Sequence, residues 1–234
     1  MPVRAWDICG PGIYIDCPED SISFFHNASN CLNILRATEP GLLLIKNICR
    51  THAITRDKHS VVIQSAKPPQ YLSEAIPVTD ISENTRTLVT MTHMEAGDLP
   101  RGSYGPDLVE SCWRLTVKGR SGCSAVAVWN DDPEKKKPKD PNAPKSNPIV
   151  GLAHELIHCL HFMRAECGRR IRLGEDLMKD TAIAEEEART VGLGPFKVDP
   201  PEPLTENGIR KALGLALRTE YAPGNALDHV RMSY

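Results

Sequence analysis

Apolar residues fall at helical spacing most densely from Gly151 to Glu166, GLAHELIHCLHFMRAE, where Val150, Leu152, Ala153, Leu156, Ile157, Leu160, Phe162 and Met163 cover much of a helix surface. Such a pattern predicts a nearly buried helix. Elsewhere the signals are shorter. Residues 1–30 lack periodicity and are rich in Cys, Pro, Gly, Asn and Ser, which predicts a flexible leader with a short strand at Ile13-Tyr14-Ile15. Asn30 is placed to cap two helical turns through Cys31, Leu32, Ile34 and Leu35; Glu39-Pro40-Gly41 interrupts, and helical spacing resumes from Leu42 to Ile48. Period-two or β-branched runs predict strands at Ser60–Gln64, Thr85–Thr92, Arg114–Val117 and Ser124–Asn130, the last two joined by the turn-forming Lys118–Gly122.

Asp131 to Pro148 is prolines and lysines with Ala143 as its one apolar residue, a solvated loop. Beyond the buried helix, Gly168 marks its end. Leu177–Thr190 reads as a second helix closed by Gly192, Pro195–Pro203 as an extended loop, and Thr205 as the cap of a short helix through Leu213, stopped by Gly214. The elements predict an α+β fold: a leader over 1–30, then one compact domain over 31–234 with a small mixed β-sheet packed on the helix at 151–166 and on the helix that carries Glu185-Glu186-Glu187.

Composition narrows the function classes. At 41% apolar and 25% charged the chain is ordinary for a globular protein, and a net charge of −2 gives no electrostatic footprint for nucleic acid or anionic membrane. No apolar run approaches the roughly 18 residues needed to span a bilayer; Gly41–Ile45, for one, stops at Lys46. The first twenty residues hold no hydrophobic h-region, so a cleaved secretion signal is not expected. Eight irregularly spaced cysteines without a CxxC pair read as reduced thiols.

The chemistry lies in the buried helix. His154-Glu155-Leu156-Ile157-His158 is the HExxH pattern. Four residues rise about 6 Å and return to the same face, so the two imidazoles can meet on one metal at roughly 2.0–2.1 Å each. Glu155 is turned about 100° from His154, too far to share the metal but placed to serve as a base. Two histidines and a glutamate inside a core otherwise cost several kcal/mol, which a divalent cation offsets; the plainer alternative is a pair of core histidines bonded to backbone. Cys159, about 100° round from His158, reads as a small buried hydrophobe rather than a ligand.

A catalytic zinc takes three protein ligands. His161 shares the stripe of His154 and His158 but lies about 10 Å of rise from His154, too far for one rigid helix to bring all three to one ion. His229, Glu185, Glu186 and Glu187 remain. On a helix crossing the first, one carboxylate of the triple Glu can bind the metal while a neighbour accepts the N–H of a ligand histidine; the plainer alternative is a solvated acidic face.

Glu186-Glu187-Ala188-Arg189-Thr190-Val191-Gly192 resembles the EELRTFG segment that follows HELIH in clostridial neurotoxin light chains. That resemblance implies Glu186 as the third zinc ligand and Glu187 as the residue behind it. The same families carry Arg-x-x-Tyr, matched by Arg218-Thr219-Glu220-Tyr221. With Thr205-Glu206-Asn207, Ile209-Arg210 and Leu213-Gly214-Leu215, residues 148–221 look most like the NleD-type secreted effector metallopeptidases of Gram-negative pathogens.

The resemblance implies a zincin-like fold, a Zn2+ cofactor and a monomeric endopeptidase. It implies delivery by a type III secretion system into the host cytoplasm and a host protein substrate: the activation loop of a stress-activated mitogen-activated protein kinase (JNK/p38 type). Glu155 then acts as base and acid, with Arg218 and Tyr221 as donors to the developing oxyanion. The strand at 124–130, nearest upstream of the zinc helix, is expected to offer its edge to an extended substrate, and the lysines of 131–148 either merely connect or guide an acidic part of that substrate. Two rivals compete: a zincin-scaffold binding module that grips a host protein without cutting it, which has no need of Glu155, and a cysteine-dependent enzyme, whose activity would survive zinc removal.

Overall fold

The computed structural model describes residues 3–4, 9–16, 22–56, 59–66, 74–77, 122–131, 147–166 and 186–219. The predicted strands at 85–92 and 114–117, nearly all of the 131–148 loop, the first part of the second helix, Glu185, Tyr221 and His229 lie outside them.

Five strands form one sheet in the order β1-β2-β3-β5-β4: β1 (Val3–Arg4), β2 (Ile13–Ile15), β3 (Val61–Ser65), β4 (Glu74–Pro77) and β5 (Ala125–Trp129). β2, β3 and β5 run parallel; β1 and β4 flank them antiparallel. The register aligns Ile13 with Val61 and Ala125, and Ile15 with Ile63 and Ala127, so their side chains project together from one face. Against that face pack three helices, α1 (Ile22–Arg36), α2 (Glu39–Ile54) and α3 (Pro148–Met163), whose Leu32, Leu35, Leu44, Ile48, Leu152, Leu156, Ile157 and Leu160 complete the main core. The opposite face carries a smaller cluster of Val62 and Val126 with Tyr14 and Val128.

Within the predicted leader over 1–30 the strand at Ile13–Ile15 forms as expected, but the segment is part of the folded core. Ile13 and Ile15 are fully buried in the sheet, and α1 begins at Ile22 rather than after Asn30, burying Phe24 and Ala28 in the core. The break between α1 and α2 falls at Ala37-Thr38. Thr38 caps α2 by accepting the Gly41 N–H at 3.2 Å, so Pro40 stands in the first turn, where its missing N–H costs nothing. β5 also differs from expectation: it lies between β3 and β4, with both backbone edges paired, and offers no free edge to a substrate.

α3 is the buried axis of the molecule. Asn147 caps it, its side-chain oxygen accepting the N–H groups of Ile149 and Val150, and Pro148 occupies the first turn. Trp129 at the end of β5 donates its indole N–H to Pro148 O at 2.9 Å, which joins strand to helix. At the other end, Phe162 O accepts Cys123 N–H and Met163 O accepts an imidazole N–H from His59. Gly122 fits there because its φ is +88° and a Cβ would stand 2.1 Å from Met163 O. The Arg164 guanidinium bonds Asn47 and Thr51 of α2. From Leu152 to Met163 every residue is buried, so the rotation of α3, and with it the direction of each polar side chain, is set by packing on all sides.

Candidate metal centre

Two segments meet α3 on its polar stripe: a helix α4 over residues 186–191, and α5 (Glu206–Ala212). α4 ends where Gly192, at φ +83°, donates to Ala188 O. Its Arg189 reaches the end of α3, donating to both the backbone oxygen and a carboxylate oxygen of Glu166. α5 starts at Thr205, which accepts Gly208 N–H at 3.1 Å and donates to Glu202 O at 2.7 Å. Asn207 then exchanges two hydrogen bonds with the backbone of Arg218, pinning the chain beyond α5.

Each histidine of the HExxH pattern is held from behind by a carboxylate. His154 donates Nδ1–H to Glu206 Oε2 at 2.9 Å, and His158 donates Nδ1–H to Glu186 Oε1 at 3.1 Å. Carboxylates only accept, so both rings carry their proton on Nδ1 and turn the Nε2 lone pair away. The two Nε2 atoms lie 3.1 Å apart, and Glu187 Oε2 stands 3.2 Å from that of His154 and 3.4 Å from that of His158. Glu187 Oε2 is buried and without a hydrogen-bond partner.

Three electron-pair donors therefore converge on one point. Ligands at roughly 2.0–2.1 Å around a tetrahedral ion stand about 3.3–3.4 Å apart, close to the edges of this triangle, so the residues present fit a small divalent cation. His161, Glu186 and His158 form a second cluster of possible ligands, but His161 Nδ1 lies 2.6 Å from Glu186 Oε1, a hydrogen-bond distance too short for two ligands of one ion.

Without a cation, charge balance falls to protons. Burial acts to lower the pKa of His154, but the carboxylates of Glu187 and Glu206 outweigh it and raise it to about 9. Burial likewise opposes the rise at His158, which Glu187 and Glu186 nonetheless drive well above its ordinary value. Burial alone would raise Glu206; His154, Arg218 and Arg210 bring it down to about 2. Glu186 and Glu187 are held well below the carboxylate range by the facing histidines, against the same effect of burial. The cluster is thus built to hold positive charge. A metal ion would take the place of the Nε2 protons.

Against the sequence expectations, the structure brings His154, His158 and the acidic pair together but reverses the pair: Glu187 faces the two Nε2 atoms and Glu186 stands behind His158. Successive residues on a helix point about 100° apart, and α4 turns the second glutamate, not the first, toward the centre. Arg218 also reaches the acidic network of the site. Its Nη1 donates to Glu206 Oε2 at 3.0 Å, and Arg210 Nε donates to Glu206 Oε1 at 2.6 Å, so Arg218 stands behind His154 through Glu206.

Glu206, only 2% exposed, is a site residue that the sequence resemblance includes in Thr205-Glu206-Asn207 without giving it a role; an i,i+4 pair with Arg210 directly after a helix cap is a second signal. Glu155 is buried on the neighbouring face of α3, where its charge, with burial as the larger cause, pushes the Cys159 thiol up. Cys159 is fully buried, in keeping with a packing role, and the five described cysteines are all free thiols.

The chain matches the sequence model of the Peptidase_M91 family, described as effector protein, over residues 17–221. No curated protein and no solved structure matches it.

Proposed function

Since the chain belongs to the Peptidase_M91 family of effector proteins, we propose that this NleD-type effector metallopeptidase is a zinc-dependent endopeptidase of zincin-like fold that acts on a protein of the host cytoplasm. Its proposed substrate, by resemblance, is the activation loop of a mitogen-activated protein kinase, and its proposed route is type III secretion. The observation that carries the chemistry is the triangle of His154 Nε2, His158 Nε2 and the buried Glu187 Oε2.

His154, His158 and Glu187 would hold the zinc. When bound there, zinc supplies Lewis acidity that brings the pKa of water toward 7 and polarises a peptide carbonyl. Glu206 and Glu186 keep both rings in the Nδ1–H tautomer, which leaves Nε2 free to bind. Glu155 takes a proton from the attacking water and delivers it to the departing amine nitrogen, base first and acid afterwards. Arg218, with Arg210, holds Glu206 in place. Tyr221 is the proposed donor to the carbonyl oxygen as it gains charge, a contribution typically of about 2.7–4 kcal/mol.

The test couples metal analysis of the purified protein to digestion of a host-cell lysate, comparing wild type with Glu155→Ala. Zinc near one per chain in both, with cleavage in wild type alone, is expected. Cleavage by the variant at the wild-type rate excludes the mechanism.

A further inference from the structure

His161 is a buried titratable residue, 6% exposed, to which the chemistry above gives no task. It lies one turn beyond His158 on α3, and its Nδ1 contacts Glu186 Oε1 at 2.6 Å, the same oxygen that accepts His158 Nδ1–H at 3.1 Å. One carboxylate oxygen on α4 thus serves two ring N–H donors spaced three residues apart on α3. The other described donor to that oxygen, the Thr190 hydroxyl, stands at 3.4 Å and also lies 3.3 Å from His158 Nδ1. The shortest contact on Glu186 therefore comes from His161, and short charge-assisted hydrogen bonds are the strong ones.

We infer that His161 is a positioning residue for the metal centre. It anchors the Glu186 carboxylate, which in turn sets the plane and tautomer of His158 and aims His158 Nε2 at the point shared with His154 and Glu187. Without that anchor Glu186 keeps, among the described donors, the His158 ring it is meant to steer and a distant hydroxyl, and the carboxylate gains freedom to turn about its terminal torsion. His161 acts on the ion at two removes. The inference rests on the proposed zinc site.

The experiment measures zinc dissociation constants by chelator competition for wild type, His161→Asn and His161→Leu, with thermal melts of the three metal-free proteins. Asparagine places an N–H near the position of Nδ1–H; leucine fills similar space with no donor. Loss of supporting partners typically weakens metal binding about 10–100-fold, so His161→Leu is expected to bind zinc at least about tenfold more weakly, with His161→Asn within about threefold of wild type.

Equal affinity in the leucine variant and wild type overturns the inference. So does an equal loss in both variants, which would make shape rather than the hydrogen bond the cause. A second zinc ion in wild type that disappears in His161→Leu would overturn it too, by making His161 a ligand. Should the leucine variant fail to fold, a double-mutant cycle of His161→Ala, which removes the donor, with Glu186→Gln decides: coupled losses support the inference and additive ones exclude it. A wild type that binds no zinc sinks the proposed site itself; zinc-bound wild type with an unaffected leucine variant sinks this inference alone.

Discussion

Glu186→Gln and Glu187→Gln remove the same charge from adjacent residues, and the geometry assigns them different losses. Glutamine at 186 still presents an oxygen to His158 Nδ1–H, 3.1 Å away in the native protein, but turns a charge-assisted bond into a neutral one. Hydrogen bonds to charged groups contribute about 1.5–3 kcal/mol net, and neutral ones are roughly half as strong. The difference, about 1 kcal/mol, is roughly a fivefold loss of zinc affinity.

Glutamine at 187 instead replaces the single anion of the triangle, 3.2 and 3.4 Å from the two Nε2 atoms. Its loss is expected to exceed 100-fold, beyond the roughly 10–100-fold typical of residues that only support a ligand. Chelator competition reads both variants on one scale, and lysate digestion at saturating zinc separates binding from turnover. If Glu186→Gln loses as much zinc as Glu187→Gln, or more, the order of the two carboxylates inferred from the structure is wrong and the order expected from the sequence resemblance returns.

Other expectations concern the base, the charge network and the end of α3. Glu155→Ala is expected to keep zinc at wild-type stoichiometry in metal analysis and to lose about 10²–10⁴-fold in peptide cleavage, the range of general acid–base catalysis. In the metal-free protein, His154 is raised from 6.5 to about 9, so its contribution to stability is complete below pH 6.5 and is lost as pH rises through 9. Glu206 is lowered from 4.5 to about 2, so its contribution is present above pH 4.5 and is lost as pH falls toward 2. Melting temperature against pH should thus show a plateau from this pair between about 4.5 and 6.5; Glu206→Gln should flatten the alkaline fall, and an unchanged fall would refute the pairing. Gly122→Ala sets a Cβ 2.1 Å from Met163 O at φ +88° and should lower stability by about 2 kcal/mol or more in denaturant titration, since left-handed backbone and overpacking each cost about 1–3 kcal/mol.

Helix α3 was legible because its apolar residues and its two histidines repeat with one period. The cap at Thr205 and the stops at Gly192 and Gly214 followed from local rules that tertiary contacts did not override. What escaped the sequence depends on how elements are turned against each other. The choice between Glu186 and Glu187 is a matter of rotating α4 by about 100°, and neither residue's own neighbours in the chain encode it.

Glu206 was hidden because the capping rule explained Thr205 and left the next residue on an ordinary helix start. The strand at 124–130 was taken for an edge because it is near α3 in the chain, whereas β4, earlier in sequence, takes the outer position. Residues 13–30 read as part of a leader because β2 is only three residues long and α1 carries Asn27, Ser29 and Asn30, poor helix formers held by the packing of Phe24, Ala28, Leu32 and Leu35.

The burial of α3 on every side bears on how this protein would handle a metal ion. In small zinc modules the ion is the fold's keystone and chelators unfold the chain. Here Leu152, Leu156, Ile157, Leu160 and Met163 keep the helix docked whether or not an ion is present, and the imidazoles are already oriented by Glu206 and Glu186. Stripping the ion should leave a native, silent scaffold that regains its activity on simple re-addition, so that metal supply acts as a reversible on-off control rather than as a condition of survival.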